Sequence, residues 1–542
     1  MKIVECVPNI SEGRRPDVYE EIARAAGSVP GVRLLDVDPG QETHRTVITF
    51  VGEPEAVLEG AFQLVKRSYD LIDMRQHHGA HGRMGATDVC PFVPVSGVTM
   101  DDCVDLARRL GRRVGEELGV PVFLYEYAAT RPDRRSLADI RKGEYEALAK
   151  KLAQPDFEPD FGPAEFVPHF GAMVTGARKF LVAYNVDLNV TDKRWANRVA
   201  LDVREKGRTV EDADGNTVEQ PGTLKAVRAV GWYIPEYGCA QVSMNLVDLD
   251  TTPLHAAFDA CEASATARGI RVTGSELVGL VPKAVILNAG RHYLCRMHRS
   301  PGVPEADIVH TAIRSLGLNE VSPFEPSQKI IEDILAPQRP LASMTVQAFA
   351  DETSRDSAAP GGGSVAALAG ALAAALAAMV ANLPHPKSDY EKVRDELEEV
   401  AVGAQRLKQK LLDAIDEDTW SFQGLMEASR SGDRERIRSA TLHAAEVPLE
   451  VAEACVEIAA LCGRALDLGL PASASDAGVG AGMASAAALG AAMNVYINLH
   501  EMAADPDAAA MLGRADAAVQ QSRVIADGIE AEVLRRLGRA TL

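Results

Sequence analysis

The chain has no paired cysteines. Its eight stand at 6, 90, 103, 239, 261, 295, 455 and 462 without paired spacing, so they read as reduced thiols of a cytoplasmic protein. It also lacks basic excess. Lys and Arg number 57 against 77 Asp and Glu, a net charge of −20. With no basic arm or aromatic–basic array, that argues against a nucleic-acid partner. The start, MKIVECVPN, has no charged opening followed by an apolar core, so no signal peptide is expected. One long apolar run exists, Ser364 to Leu383, mostly alanine and glycine. Alanine carries little hydrophobic drive, so a buried packing helix is expected there rather than a membrane span. No HExxH or CxxC occurs, and Gly361-Gly362-Gly363-Ser364 lacks the lysine of a P-loop. Neither a metal nor ATP is expected.

What is present is a regular alternation. At 542 residues the chain should hold more than two domains. Lys2–Val7, Val32–Val37, Arg45–Val51, Asp88–Val95 and Val120–Glu126 read as strands. Asp17–Ala26, Pro54–Ile72 and Met100–Leu118 read as helices. The opening order is βαββαβ, and it returns after about 180 residues with strands at Lys179–Leu188, Leu224–Ile234, Cys239–Asp250 and Ile270–Ser275. The expected fold is therefore two ferredoxin-like α/β subdomains, 1–178 and 179–326, with a small-molecule cleft between them. Arg208–Gly222 reads as an inserted hairpin turning at Asp214-Gly215-Asn216. A proline-punctuated linker, 327–343, leads to an all-α bundle, 344–542, in which a long helix over Arg434–Leu468 is expected to kink at Pro448.

Three stretches carry chemistry. In His77 to Val95, HHGAHGRMGATDVCPFVPV, three histidines, three glycines and Arg83 precede a strand. Gly79, Gly82 and Gly85 disfavour a helix, so this is a loop whose backbone can approach a ligand closely. Imidazole, with an unperturbed pKa of ~6.5, can take and return a proton at neutral pH. A general base is expected here, with Asp88 and Arg83 beside it. His77-x3-His81 would suit a metal on a helix, but the glycines break that face.

The second stretch is Phe161 to Gly171, with two prolines and three phenylalanines. It is either a structured connector or a place where rings stack on a flat ligand. Arg131, Arg134, Arg135, Arg141 and Lys142 nearby form a local cationic group suited to an anion, or a solvated face. The third stretch is the helix through Asp418. Its helical neighbours include Leu411, Ala414, Ile415, Phe422 and Leu425, whereas Asp416 neighbours Asp413, Thr419, Gln409 and Gln423. Asp418 is thus expected in the apolar stripe, with its pKa raised by burial, and Asp416 on the polar side. An acid paired across the bundle is the structural alternative.

CVPNISEG, LLDVDPG, RTVITFVG, MGATDVCPFVPV and GARKFLVAYN closely resemble glutamate formimidoyltransferase, the N-terminal half of the bifunctional formimidoyltransferase-cyclodeaminase family. The resemblance spans nearly the whole chain. It implies a catalytic His81, an acidic Asp38 in the same site, and a folate-binding segment at Gly162, Pro163, Ala164, Glu165, Phe166, Val167, Pro168, His169, Phe170 and Gly171. Ala80 and Gly82 stand where a Glu and a Pro commonly flank the histidine. In the helical half it implies a catalytic Asp418, with Ser475, Asp476, Asn494 and Asn498 as further polar motif residues. The implied substrates are N-formimino-L-glutamate and tetrahydrofolate, its polyglutamylated forms included, with no metal. The small-residue helix faces at Val365–Met379 and Ala481–Ala492 suggest a homo-oligomer. Two other readings stand beside this: a methenyltetrahydrofolate cyclohydrolase in the helical half, or a folate-binding module without turnover in the α/β half.

Overall fold

A computed structural model describes residues 2–41, 43–79, 82–211, 216–357 and 359–539. The chain forms two compact units. One is Met1–Val285 with Leu316–Leu335, the other Ile286–Ser315 with Ala336–Leu542.

The first unit contains two main sheets. Strands β1 (Ile3–Cys6), β2 (Asn9–Ile10), β3 (Val32–Gly40), β4 (Arg45–Gly52), β5 (Thr87–Ser96), β6 (Val122–Glu126) and β7 (Met173–Ala177) make the first. Across it the order is β3, β4, then β1 and β2 together, β5, β7 and β6. All pairs are antiparallel except β5–β7 and β6–β7. Alternation in β4 sends Ile48 and Phe50 toward the helices Pro16–Gly27, Pro54–Leu71 and Met100–Leu118, which share one core with Val4, Cys6 and Phe92. Prolines at the first turn start two of these helices, and a reciprocal Thr99–Asp102 capping box starts the third. β7 was absent from the sequence reading because MVTGA is short and carries a glycine; pairing with both β5 and β6 overrides that weak propensity.

By the same alternation Thr49 and Val47 point to the other face, in line with Asp36 and Asp38 on β3. Further along that face the short helices Leu137–Arg141 and Glu144–Leu152 place Ile140 and Leu148 against Val89, Phe123 and Val174.

In the second sheet β8 (Val182–Leu188), β11 (Val227–Ile234), β12 (Cys239–Leu246) and β13 (Val272–Val278) run antiparallel in the order β11-β12-β8-β13. Helices Lys193–Val203 and Leu254–Thr266 lie on one face. The first lies so close that a side chain on Gly231 would strike the backbone at Ala196 and Asn197. Asn185, Asp187, Gln241 and Glu276 occupy the opposite face. The two strands between these, β9 (Arg208–Glu211) and β10 (Thr217–Gln220), form the expected hairpin; Asp214 and Gly215 lie outside the described residues.

The second unit shows only helix and turn among its described residues. Its long helices are Gly362–Asn382, Arg394–Ser431, Arg434–Leu468, Ala474–Leu499 and Pro506–Arg536. The third runs through a buried Pro448. Gly362–Asn382 and the region Pro471–Met502 are long and apolar enough to cross a membrane. In the first, Ala366, Ala373, Ala377 and Ala381 are buried in the bundle core. Glycine lets these helices close up: a side chain on Gly370 would strike Leu411 and Cys455. The pair Lys283–Arg296 and Glu305–Leu316 contributes residues 286–315 to this unit. The Gly302 carbonyl there accepts hydrogen bonds from Asn382 Nδ2 at 2.7 Å and Gln405 Nε2 at 3.3 Å.

Candidate active sites

In the first unit, the segment after β1, the turn into β4 and the glycine-rich loop meet at one end of the sheet. Asp38 is exposed on β3, across β4 from Asn9, with both in register with Val47. Arg45 donates to Asn9 Oδ1 and lies within electrostatic reach of Asp38 and Asp88. Asp88 is fully buried, accepts from the Met84 N–H at 2.7 Å and pairs with Arg141. Burial raises its pKa against the pull of Arg141.

His81, the expected base, and Ala80 lie outside the described residues. The glycines on either side of them lie close to neighbouring groups. A side chain on Gly79 would strike the Thr43 carbonyl, and one on Gly82 would meet Glu144 Oε1 at 3.1 Å. His77 is buried and stacks on His44 with ring centroids 4.2 Å apart. It accepts from Arg83 Nε at 3.2 Å through Nδ1, so Nε2–H donates to the His44 carbonyl at 2.7 Å. Burial, with the charges of His44 and Arg83, pushes its pKa down to about 4. His77 is therefore a neutral structural ring, unsuited to proton transfer at neutral pH. Arg83 is spent in the same frame, on His77, Glu144 and Glu146.

Sequence reasoning missed Glu12 and His44. Glu12 is buried, and accepts from the Arg14 and Arg15 N–H groups, from Arg15 Nε at 2.6 Å and from His44 Nε2 at 3.2 Å. Burial pushes its pKa up, but these donors hold it below the usual carboxylate value. His44 adopts φ 51°, which turns its ring toward both Glu12 and the His78 carbonyl. Three acidic and basic residues within ETHR were the available signal.

The Gly162–Gly171 segment is stapled to this loop. Gly85 bridges Gly171, Ala86 N–H bonds the Phe170 carbonyl at 2.7 Å and Met74 N–H the His169 carbonyl at 2.8 Å. Gly162 and Gly171, at φ 79° and 84°, pack directly on the backbones of Val120 and Met84. Phe170 is fully buried, so its ring cannot stack on a ligand; Phe161 is half-buried and packs on Gly111. Phe166 remains half-buried, 5.3 Å from the Tyr145 ring, and the His169 ring meets Tyr69 edge-on at 4.3 Å. The expected cationic group is largely neutralised: Arg131 binds Asp133, Arg134 binds Asp160 and Arg141 binds Asp88.

In the helical unit Asp418 is half-buried at the start of helix Gly362–Asn382. Ser364 Oγ lies 3.4 Å from Asp418 Oδ2 and donates to the Ile415 carbonyl at 2.8 Å. Burial raises the Asp418 pKa, while hydrogen bonds from Ser364 pull the other way. A side chain on Gly362 would meet Asn494 Nδ2 at 3.4 Å, so Gly362, Gly363, Ser364, Asp418 and Asn494 form one cluster. Ser475 and Asp476 do not join it; they lie at the other end of Asn494's own helix, roughly 28 Å away by helical rise. Asn498 donates to the Ala444 carbonyl at 2.8 Å, a helix-to-helix tie.

Asp416 corrects the sequence reading. It is the deeply buried member of the pair, 1 % exposed, and its two oxygens accept from the Leu341 N–H at 2.9 Å and the Ala342 N–H at 3.0 Å. The helix is overlaid there by the segment leading into the bundle, which single-helix periodicity does not reveal.

Family models for the formiminotransferase domain, N-terminal subdomain, the formiminotransferase domain and formiminotransferase-cyclodeaminase match residues 3–178, 183–336 and 345–517. The formimidoyltransferase-cyclodeaminase of Gallus gallus is 44 % identical over 513 residues, 92 % of this chain and 93 % of that one. The chain belongs to the formimidoyltransferase-cyclodeaminase family. The Sus scrofa member is 41 % identical over 98 % of this chain and 99 % of its own. The glutamate formimidoyltransferase of Streptococcus pyogenes serotype M1 is 40 % identical, covering 54 % of this chain and 93 % of its own length. A solved formiminotetrahydrofolate cyclodeaminase from Thermotoga maritima covers 36 % of this chain and 96 % of its own at 28 % identity, with a TM-score of 0.33. The α/β unit thus holds most of the family's transferase matches, whose residues 286–315 fall in the helical unit, and the helical unit holds the whole cyclodeaminase match.

Proposed function

We propose that the chain moves the formimino group of N-formimino-L-glutamate to N5 of tetrahydrofolate, then cyclises 5-formiminotetrahydrofolate to 5,10-methenyltetrahydrofolate with loss of ammonia. The observation that carries this reading is the match of both halves, in one chain, to relatives named for both activities. In the first step His81 takes the N5 proton as that nitrogen attacks the amidine carbon, and returns it to the departing glutamate nitrogen. Asp38 orients His81 or neutralises its imidazolium, and the Gly162–Gly171 segment receives the folate. His77, His44, Glu12 and Arg83 hold the loop.

In the second step N10 attacks the same carbon. Asp418 takes the N10 proton and delivers it to the leaving nitrogen, which departs as ammonia. A carboxyl whose pKa is raised by burial suits both transfers. An amidine is already an electrophile when protonated, so no metal enters the scheme.

Purified protein given both substrates should form methenyltetrahydrofolate and ammonia together. Hydration of supplied methenyltetrahydrofolate without ammonia release from 5-formiminotetrahydrofolate would favour the cyclohydrolase reading. Folate binding with no turnover would leave a binding module.

We also read both sheets as ferredoxin-like, divided at residues 1–178 and 179–326, because β3-β4-β1-β5 and β11-β12-β8-β13 share one strand order. Self-association is inferred from Val365, Leu372 and Met379, exposed at seven-residue intervals along one helix. Eight free cysteines suit the cytoplasm.

A further inference from the structure

Beyond the end of β8, the β11–β12 turn and the loop at Glu320 enclose a cavity of about 470 Å3. Three carboxylates line it, Asp187, Glu236 and Glu320, with Asn189, Thr191 and Tyr237; no Lys, Arg or His is among its described lining residues. Asp187 is fully buried. Its Oδ1 accepts from Gln241 Nε2 at 2.6 Å, and Gln241 Oε1 accepts from Trp232 Nε1 at 3.0 Å. That chain fixes the amide's orientation. Asp187 Oδ2 is left with no hydrogen-bond partner among the described residues. A buried acceptor without a donor is costly, and here it stands in the wall of an acidic cavity.

We propose that this cavity binds a small cation rich in N–H donors, of the amidinium or guanidinium class. Anions, including both substrates' carboxylates, are repelled by three acidic side chains. Among the described residues no group of three or more His, Cys, Asp or Glu is gathered as a metal-binding set, so these carboxylates do not converge on one point. A planar organic cation spreads its donors over several ångströms and matches carboxylates set apart. Tyr237, 39 % exposed, offers it a ring face, while its hydroxyl donates to Glu276 Oε1 at 3.1 Å. None of these residues belongs to the His81 loop or the Asp418 cluster.

Burial holds the Asp187 pKa at about 6 against the Gln241 bond, and Glu276 and Glu320 push it the same way. Glu236, Tyr237 and Cys239 on the turn complete the titratable surroundings. Retention therefore strengthens as pH rises through 6.

The test is calorimetric titration of the full chain at pH 7.5 with acetamidinium chloride, and with tetramethylammonium chloride at equal ionic strength. Acetamidinium should bind in the ~millimolar range and tetramethylammonium, which has no N–H, should not. Asp187→Asn should weaken binding about tenfold or more, and Glu320→Gln, at an exposed position where folding is not at risk, severalfold. Binding should also weaken at pH 5.5. No saturable heat with the native chain, equal binding of tetramethylammonium, or native affinity in both variants would overturn the proposal.

Discussion

Asp418 Oδ1 occupies the space that a side chain on Gly363 would fill. The glycine at the second position of helix Gly362–Asn382 is therefore what lets the carboxylate sit on the helix start. Gly363→Ala should expel it. Alanine favours a helix over glycine by ~1 kcal/mol, so stability should hold or rise while ring closure of supplied 5-formiminotetrahydrofolate falls ~10²-fold. Activity and melting temperature measured on one preparation would check this. A variant that closes the ring normally removes Asp418 from the chemistry.

Asp418→Asn and Asp416→Asn should separate chemistry from stability. For Asp418 the folded pKa lies above the ordinary value of 3.8. Its contribution to stability is thus present below that value and lost as pH rises through the folded pKa. Asp418→Asn should therefore melt at a higher temperature than the native chain at pH 7 and equally at pH 3.5, with ring closure lost. Asp416→Asn swaps an acceptor for an amide that cannot satisfy both the Leu341 and Ala342 N–H groups. It should destabilise the helical unit by ~1–3 kcal/mol and leave residual catalysis in the folded fraction. The opposite pattern in the two variants would exchange their roles.

Local pattern explains which parts of the molecule were legible beforehand. The helices at Pro54 and Met100 are amphipathic over many turns, and β4 alternates from Arg45 to Phe50, so a periodic reading finds them. Asp416 was misjudged because its burial comes from residues 341–342, distant in sequence. Glu12 and His44 were missed for the same reason: each is ordinary until the loop at His77 folds over it. The Gly162–Gly171 segment reads from composition as a connector or a ring-stacking stretch, and its backbone contacts with Gly85, Met84 and Met74 are tertiary facts that composition cannot supply.

His81→Ala should abolish transfer by ~10²–10⁴-fold while ring closure of supplied 5-formiminotetrahydrofolate persists. His77 should behave differently. Its folded pKa of about 4 lies below the ordinary 6.5, so it adds stability above pH 6.5 that is lost as pH falls toward 4. His77→Gln should lower the melting temperature at pH 7.5 by removing the stack on His44, and should flatten the decline between pH 6.5 and 4. A thermal melt series across that range, with transfer assayed alongside, distinguishes the two histidines. Loss of transfer in His77→Gln with unchanged stability would move the catalytic assignment to His77 itself.

Cutting the chain near residue 336 should give pieces of unequal quality. Residues 286–315 belong with the helical unit although they precede the cut. The Gly302 carbonyl satisfies Asn382 Nδ2 and Gln405 Nε2, and Gly302 packs so tightly on Ala401 that a side chain there would clash. A piece made of residues 336–542 leaves both amide donors without that acceptor, at ~1–3 kcal/mol for each one kept from water, and uncovers the Ala401 region. It should melt well below the native bundle or precipitate. Adding residues 286–315 back, as a separate peptide or through a linker, should raise its melting temperature and restore ring closure. Equal melting of residues 336–542 with and without that segment would show that its packing contributes nothing to the bundle, and the transferase and ring-closing activities would then be separable by a single cut.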